Sequence, residues 1–576
     1  MNEKKNIKLT VFIIKLALIL LIIGVGLGNF FLFSHYYEQF INYIIEHYQL
    51  AGKEEKIKAL VNKQSYFLLK MVALLLLTFL LVLAARINYK KIAVGVINNL
   101  DELKKSIGNA YKHFLRLSTI EKIVLLSILF FFTALQLYYL FKLPFTIDEA
   151  FSYVYFVSKG FFVSASYYPG PNNHVLYSEV AVFFNCFIHN PVVSMRLPSL
   201  ISSVLTAVLL FAYLQKKFGH IAAGIGAVFF CFSSATLFYS ILGRGYALMS
   251  FFVLVSLISL QQALAGKKVY WYIFLLASVF GFYTIPVFLY PFSSFAAYAL
   301  LVTIKDKKLL SQLFIYTALT VFFVALLYLP ILLLNGFNAI TGNPWVGARE
   351  DFFTRLPAYL ASVCGYLWDA EQYGWIIAVC LLLLFLFFSF LAKKSENIIF
   401  ISCAYVVPFV ILIIQQALPF ERVWTYFLII QSYQLVFVGA AILNYTKRKL
   451  LVTFICLALS LSFVIKQVIR SSDFYNGEYV NYYKQMNAFI GKLVEKNPES
   501  VFVADDTYTV FLRYNYLLNN KPIPELQTES DKINKNYKFI ILPVFISFPA
   551  KLDSGDYFFY YKNPFIRAYF YKKSSK

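Results

Sequence analysis

Uninterrupted apolar runs, punctuated by short stretches of lysine and arginine, set the pattern of this chain. The runs lie at 9–33, 66–85, 123–143, 175–188, 197–214, 221–238, 246–264, 270–283, 287–304, 313–334, 374–391, 398–418, 424–443 and 450–465. A helix of about 20 apolar residues crosses the hydrocarbon core of a bilayer, and several runs reach that length. A helix also closes its backbone hydrogen bonds within itself, as hydrocarbon demands. The pattern predicts a polytopic α-helical membrane protein with about 13 transmembrane helices.

Charge orients these helices. Basic residues gather in 86–122, at Lys267-Lys268, in 305–308, at Lys393-Lys394 and in 447–449. Such connectors belong on the cytoplasmic side. Asp148, His174, Arg244, the polar 335–373 loop and Glu421-Arg422 then fall on the opposite side. An even number of crossings would return the tail to the cytoplasm, so one run between His174 and Arg244 must fail to cross. With Lys216-Lys217 inside, that run is 175–188, a half-span or interfacial helix. The 9–33 run is too long for a signal-peptide core and reads as a signal anchor. Residues 35–64 read as a surface helix, apolar at Phe40, Ile41, Ile44 and Ile45.

The tail is too polar for another span. Strands are expected at 500–506, 537–543 and 557–571 and a helix at 507–519, which together make a small C-terminal α/β domain outside the membrane. Asp505 and Asp506 read as a cap of that helix rather than an acidic site. Three parts follow: an N-terminal two-helix extension with a basic connector (1–119), a transmembrane catalytic domain (120–465) and the tail domain (466–576).

Composition agrees. Hydrophobic residues make up 60% of the 576, and mean hydropathy is +0.67. The 62 Phe and 44 Tyr suit interfacial belts and core packing. The net charge of +23 fits basic inner loops and attraction to anionic lipid. Basic residues are scattered between spans, which argues against nucleic-acid binding. The six cysteines lie mostly in apolar runs, without a CxxC spacing or a nearby histidine, and read as small core residues.

The chemistry gathers at membrane boundaries on one side. Asp148 and Glu149 emerge after the 123–143 run, followed by Asn172-Asn173-His174, Arg244 and Glu421-Arg422. A carboxylate there could take a proton from a hydroxyl nucleophile. Each arginine offers a planar donor fork suited to phosphate. Glu179 lies inside an apolar run and must be paired or face a cavity. Arg196 reads as the anchor of a helix end. A divalent metal could bridge Asp148 and a phosphate, but the sequence offers no full ligand set.

Five segments carry a resemblance, in this order: Thr146-Ile-Asp148-Glu149-Ala150, Asn173-His174-Val-Leu-Tyr177, Arg196-Leu-Pro-Ser199, Gly243-Arg244-Gly-Tyr246-Ala-Leu248 and Pro419-Phe-Glu421-Arg422-Val-Trp-Thr-Tyr426. Over residues 120–443 the chain resembles the GT-C membrane glycosyltransferases, in particular bacterial relatives of protein O-mannosyltransferases and lipid A aminoarabinose transferases. The resemblance implies a sugar taken from a polyprenyl-phosphate donor on the non-cytoplasmic face of a bacterial inner membrane. It implies Asp148 as base on the acceptor hydroxyl, with Glu149 as rival. It implies Arg244 and Arg422 as holders of the donor phosphate. Asn173, His174, Glu179, Tyr246 and Glu421 are further candidates for substrate contact. Relatives often carry a His-Pro pair where this chain has Val175 after His174. The acceptor could be a glycan, a lipid or a protein. A transporter or flippase of a lipid-linked or anionic solute could use the same charges, but the two halves of the chain show no repeat of the kind transporters carry. A non-catalytic membrane scaffold is the third reading.

Overall fold

The apolar runs become separate helices in the computed structural model, which describes residues 2–47, 58, 61–342, 347–496, 500–503, 506–527, 537–543, 547–549, 551–562 and 566–571. The N-terminal part contains α1 (Asn2–Ser34), α2 (Tyr37–His47), α3 (Lys63–Arg86) and α4 (Tyr89–Arg116). The central part contains α5 (Thr119–Lys142), α6 (Ile147–Tyr155), α7 (Phe161–Ser166), α8 (Val175–Phe187), α9 (Pro191–Phe218), α10 (His220–Phe232), α11 (Ser234–Tyr239), α12 (Tyr246–Leu264) and α13 (Val269–Thr284). It continues with α14 (Leu289–Thr303), α15 (Lys307–Asn335), α16 (Phe352–Trp368), α17 (Gly374–Leu391), α18 (Ser395–Gln415), α19 (Phe427–Tyr445) and α20 (Lys449–Asn476).

Among the described residues, 11 helices are long and apolar enough to cross a membrane. α8, α10 and α13 are shorter apolar helices. This is two fewer full-length spans than the sequence pattern predicts. The reason lies in α10, which breaks at Ser233 and restarts as α11, and in α13, which is only 16 residues long. Both still connect the two ends of the bundle. α10 begins at His220, 3.7 Å from Glu121 at the start of α5, and α11 leads to Arg244. α8 does not connect the ends. His174 before it meets Gly245, and Asn185 near its end accepts a hydrogen bond from Ser194 in the first turn of α9. α8 is thus a helix held at one end of the bundle, as the parity of the charges requires.

Local sequence explains where helices start and stop. Asn190 caps α9 by accepting from the Val192 and Val193 amides, and Pro191 follows it. α9 ends at Gly219, whose φ of +85° suits only a residue without a Cβ. At 28 residues α9 spans about 42 Å, from Arg196 near one end to Lys216-Lys217 at the other. Helices in lipid associate through close packing of small residues. Gly226 of α10 illustrates this: a Cβ there would stand 2.6 Å from Leu214 Cδ1 of α9 and 2.7 Å from Val436 Cγ2 of α19.

The boundary expected at 466 falls inside α20, which continues to Asn476. Gln467, Ser471 and Tyr475 recur every four residues on one buried face of α20, and Tyr475 stacks on Tyr139 of α5 at 3.9 Å. This last part of the helix is too polar to score as a span but is bound to the bundle. The tail itself begins with α21 (Glu478–Lys496) and continues β1 (Ser500–Val503), α22 (Asp506–Leu518), β2 (Glu525–Gln527), β3 (Phe539–Pro543), β4 (Tyr557–Lys562) and β5 (Ile566–Tyr571). The sheet order is β2-β1-β3-β5-β4. β1 runs parallel to β2 and β3, while β5 is antiparallel to β3 and β4. The expected Asp505 cap and part of the expected 35–64 surface helix (48–57) lie outside the described residues.

The tail packs on α6. Tyr514 of α22 stacks on Phe145 at 4.5 Å, and Asn487 of α21 donates to the Phe145 carbonyl at 3.3 Å. Ala150 and Val154 of α6 share one apolar cluster with Met486 and Phe511. α6 is thereby fixed between the bundle and the tail, and α6 carries Asp148 and Glu149.

Candidate active site

The two adjacent acids face opposite ways because α6 begins at Thr146. Glu149, in the first turn, folds back so that its carboxylate accepts the Thr146 amide at 3.0 Å and the Thr146 hydroxyl at 3.1 Å. Arg196 reaches the same carboxylate with Nε and Nη2, each at 2.7 Å, and the Gly243 amide adds a bond of 2.8 Å. Both side chains of the pair are fully buried. The rest of the Arg196 fork donates to the carbonyls of Leu140, Leu143 and Pro144 at 2.6, 2.8 and 3.0 Å. Arg196 thus anchors the end of α5. Glu149 corrects the sequence-based expectation of a second catalytic acid. Its oxygens are occupied and enclosed, so it has no path to a substrate. A buried pair of this kind adds little net stability but fixes geometry.

Asp148 points the other way, with its side chain 34% exposed. Arg422 Nη1 stands 3.9 Å from Asp148 Oδ2. Arg422 is aimed by two contacts: its Nε donates to the Tyr246 hydroxyl at 2.9 Å, and its guanidinium lies over Phe420 at 4.3 Å. Tyr246 is therefore a support for Arg422 at the start of α12.

Arg244 lies beneath, only 2% exposed. Its Nη1 donates to Ser152 Oγ at 3.1 Å and to the Asn172 carbonyl at 2.8 Å. Its Nε has no partner, and it belongs to none of the ion pairs among the described residues. A buried guanidinium without a carboxylate is costly unless an anion arrives.

His174 sits against it. Its Nδ1 accepts the Gly245 amide at 2.8 Å, and its Nε2 is 3.3 Å from Arg244 Nη2. Burial, then the charges of Arg244 and Arg422, hold the imidazole well below its ordinary pKa. It is a neutral ring that positions the Arg244 turn. A Cβ on Gly245 would lie 3.0 Å from that ring nitrogen, so the close approach depends on glycine.

The remaining candidates separate. Asn173 is fully buried, donating to the Ser164 and Tyr167 carbonyls at 2.8 and 3.0 Å and accepting from Ser178 at 2.9 Å. This corrects its expected substrate contact: its amide pins the loop after α7. Glu179 accepts from Tyr283 of α13 at 2.8 Å. Glu421 accepts from Ser362 of α16 at 2.9 Å and lines a cavity beside Arg422.

No family model matches the chain. No curated protein matches it either. Among solved structures, the fold is similar to ArnT from Cupriavidus metallidurans in the apo state, at 12% identity over 78% of this chain and 97% of that one, with a TM-score of 0.49. The same ArnT bound to undecaprenyl phosphate gives a TM-score of 0.48 at the same identity and coverage. The archaeal oligosaccharyltransferase AglB from Archaeoglobus fulgidus, in complex with an inhibitory peptide and a dolichol-phosphate, is 12% identical over 71% of this chain and 65% of that one, with a TM-score of 0.45.

Sequence reasoning missed Ser152 and Asn172 as partners of Arg244, and it missed Asp369. Asp369 ends α16 in the left-handed region at φ +53°. Its Oδ2 accepts the Ser234 amide at 3.0 Å and Gln467 Nε2 at 2.9 Å, and Arg470 stands 3.4 Å from its Oδ1. Gln467 and Arg470, three apart on α20, could have been read as one helix face. For a divalent metal the donors fit poorly. The charged neighbour of Asp148 is Arg422, and no three of His, Cys, Asp and Glu converge as a ligand set among the described residues.

Proposed function

We propose that this chain is an integral-membrane glycosyltransferase that moves a sugar from a polyprenyl-phosphate donor to an acceptor hydroxyl. The observation that carries the reading is the charge balance around Asp148. Among the described residues Arg422 has its ion pair with Asp148, at 3.9 Å, while Arg244, buried against His174 and Asn172, has none. The surplus positive charge suits a phosphate, which the two planar forks can hold with charge-assisted hydrogen bonds. The order of the sequence motifs supports the same class.

In this mechanism the donor phosphate bridges Arg244 and Arg422. The acceptor oxygen attacks the anomeric carbon from the face opposite the phosphate. As the new carbon–oxygen bond forms, the bond to the phosphate oxygen breaks and its electron pair stays on the phosphate. The hydroxyl proton passes to Asp148. In-line displacement inverts the anomeric centre. The leaving phosphate already carries charge, so it needs cations more than a general acid. The hydroxyl is a poor nucleophile, so it needs a base. Arg422, 3.9 Å from Asp148 before the donor binds, is drawn to the phosphate afterwards. Glu149 and Arg196 hold α6 in place. The basic connectors, read as cytoplasmic, support a non-cytoplasmic face for this chemistry, and the resemblance of the sequence motifs supports a bacterial inner membrane.

The test is sugar transfer in membranes supplied with a labelled polyprenyl-phosphate sugar pool, comparing wild type with Asp148→Asn. Removal of the base should lower transfer about a hundredfold or more while donor binding persists. Unchanged transfer would refute the role of Asp148. An absence of transfer by wild type, with solute or lipid flux dependent on Arg244, would replace the reading with a transporter.

A further inference from the structure

A cavity of about 960 Å³ opens beside Arg422, between α11, α16, the 421–426 segment and the last turns of α20. This is at the upper end of the ~300–1,000 Å³ typical of small-molecule sites. Its walls carry two aromatic rings left partly open, Phe474 at 37% and Tyr479 at 44% exposure, beside Phe420, whose ring carries the Arg422 guanidinium. Partly exposed aromatic rings grouped in one cavity mark a surface that something covers. The flat C–H face of a sugar ring is such a cover.

The polar wall has matching chemistry. Asp369 Oδ2 accepts from the Ser234 amide and Gln467, while Oδ1, on a side chain 4% exposed, has a longer 3.4 Å contact to Arg470. The Arg470 side chain is 42% exposed. One acceptor oxygen and one donor fork therefore stand side by side at the cavity wall. Two neighbouring hydroxyls match that pair, one donating to the carboxylate while the other accepts from the guanidinium. The carboxylate also costs something to keep. It lies in the left-handed region, which asparagine adopts as readily, and burial pushes its pKa up against the pull of Ser234 and Arg470. At the far end of the wall, Asp369 and Glu371 line the cavity together with Arg470, which suits a hydroxyl-rich ligand there better than a polyanion.

Asp369, Glu371 and Arg470 also line a second, more open cavity of about 800 Å³ that does not reach Arg422. The polar cluster thus lines both cavities.

Resting on the glycosyltransferase reading above, we infer that the acceptor is an extended glycan, stacked on Phe474 and Tyr479, gripped by Asp369 and Arg470, and continuing towards the second cavity. The donor sugar remains at the Arg422 end.

The test uses the full chain in lipid nanodiscs. Binding of a fluorescent short-oligosaccharide array is measured without donor, for wild type, Phe474→Ala and Arg470→Gln. Acceptor KM, donor KM and acceptor-free donor hydrolysis are then measured for the same proteins. Each variant should weaken oligosaccharide binding and raise acceptor KM about tenfold or more, with donor KM and donor hydrolysis unchanged. Unchanged donor hydrolysis also shows that a variant is folded. A rise in donor KM instead would assign the cavity to the donor sugar and overturn the inference. So would a wild type that binds no oligosaccharide, or one that transfers only to serine- and threonine-containing peptides or to lipid acceptors. Oligosaccharide binding that depends on Phe474 in a protein that cleaves no donor would uphold the glycan site and strike the transfer reading.

Discussion

The Glu149–Arg196 pair sets up a measurement with a defined order of effects. Glu149→Gln keeps the shape of the side chain and removes its charge. Arg196 is then a buried cation, but the carbonyls of Leu140, Leu143 and Pro144 still hold its Nη1 and Nη2. Arg196→Met leaves a buried carboxylate with only the Gly243 amide and the two Thr146 donors, and it strips those three carbonyls of their partner. Breaking a buried pair from one side costs about 3–5 kcal/mol. Glu149→Gln therefore belongs near the lower figure and Arg196→Met near the upper. The double variant Glu149→Leu with Arg196→Met buries no charge, so it should be less destabilised than the sum of Glu149→Leu and Arg196→Met by about 3 kcal/mol. Thermal unfolding of purified protein in one detergent, followed by retention of the monodisperse peak, ranks all four variants against wild type. Strict additivity, or a Glu149→Gln protein that melts with wild type, would refute the idea that the charges are enclosed together.

Two further outcomes follow from the Arg244 turn. Gly245→Ala places a Cβ 2.9 Å from Thr284 Cγ2 and 3.0 Å from His174 Nδ1, so it should cost about 1–3 kcal/mol of stability and weaken donor binding by shifting Arg244, read by melting and by donor titration. His174 is neutral when folded because its pKa is depressed. Its stabilising contribution is complete above the unfolded value of about 6.5 and is lost as pH falls from there towards the folded value. Melting temperature should therefore drop with acid below that point, and drop less in His174→Gln; equal acid sensitivity in the two proteins would count against the buried neutral ring.

Much of the fold was legible because bilayer-spanning helices announce themselves by length and apolarity. The apolar stretches around α5, α9 and α12 needed nothing else. Parity of the basic connectors also singled out α8. The break at Ser233 and the continuation of α20 to Asn476 were not legible. Both depend on tertiary partners: Asp369 takes the Ser234 amide, and Tyr139 stacks on Tyr475. In the candidate site, the sequence named Asp148, Arg244 and Arg422 but could not say which of the two adjacent acids is enclosed. That was decided by Arg196, 47 positions away. The tail showed its strands by their apolar content, while the sequence carried no sign that they close over α6.

That closure gives the site a timetable. Asp148 is made early, yet the contact from Asn487 to Phe145 joins residues 342 positions apart. While the chain is being inserted, α6 has its bundle side in place and its other side bare. α6 stays unclamped until α21 and α22 have been made and have reached it. A chain cut short by a premature stop after the last span would keep every proposed catalytic side chain and still lack the wall that holds one of them in place. In this protein a segment synthesised long after α6 acts as the latch that holds it.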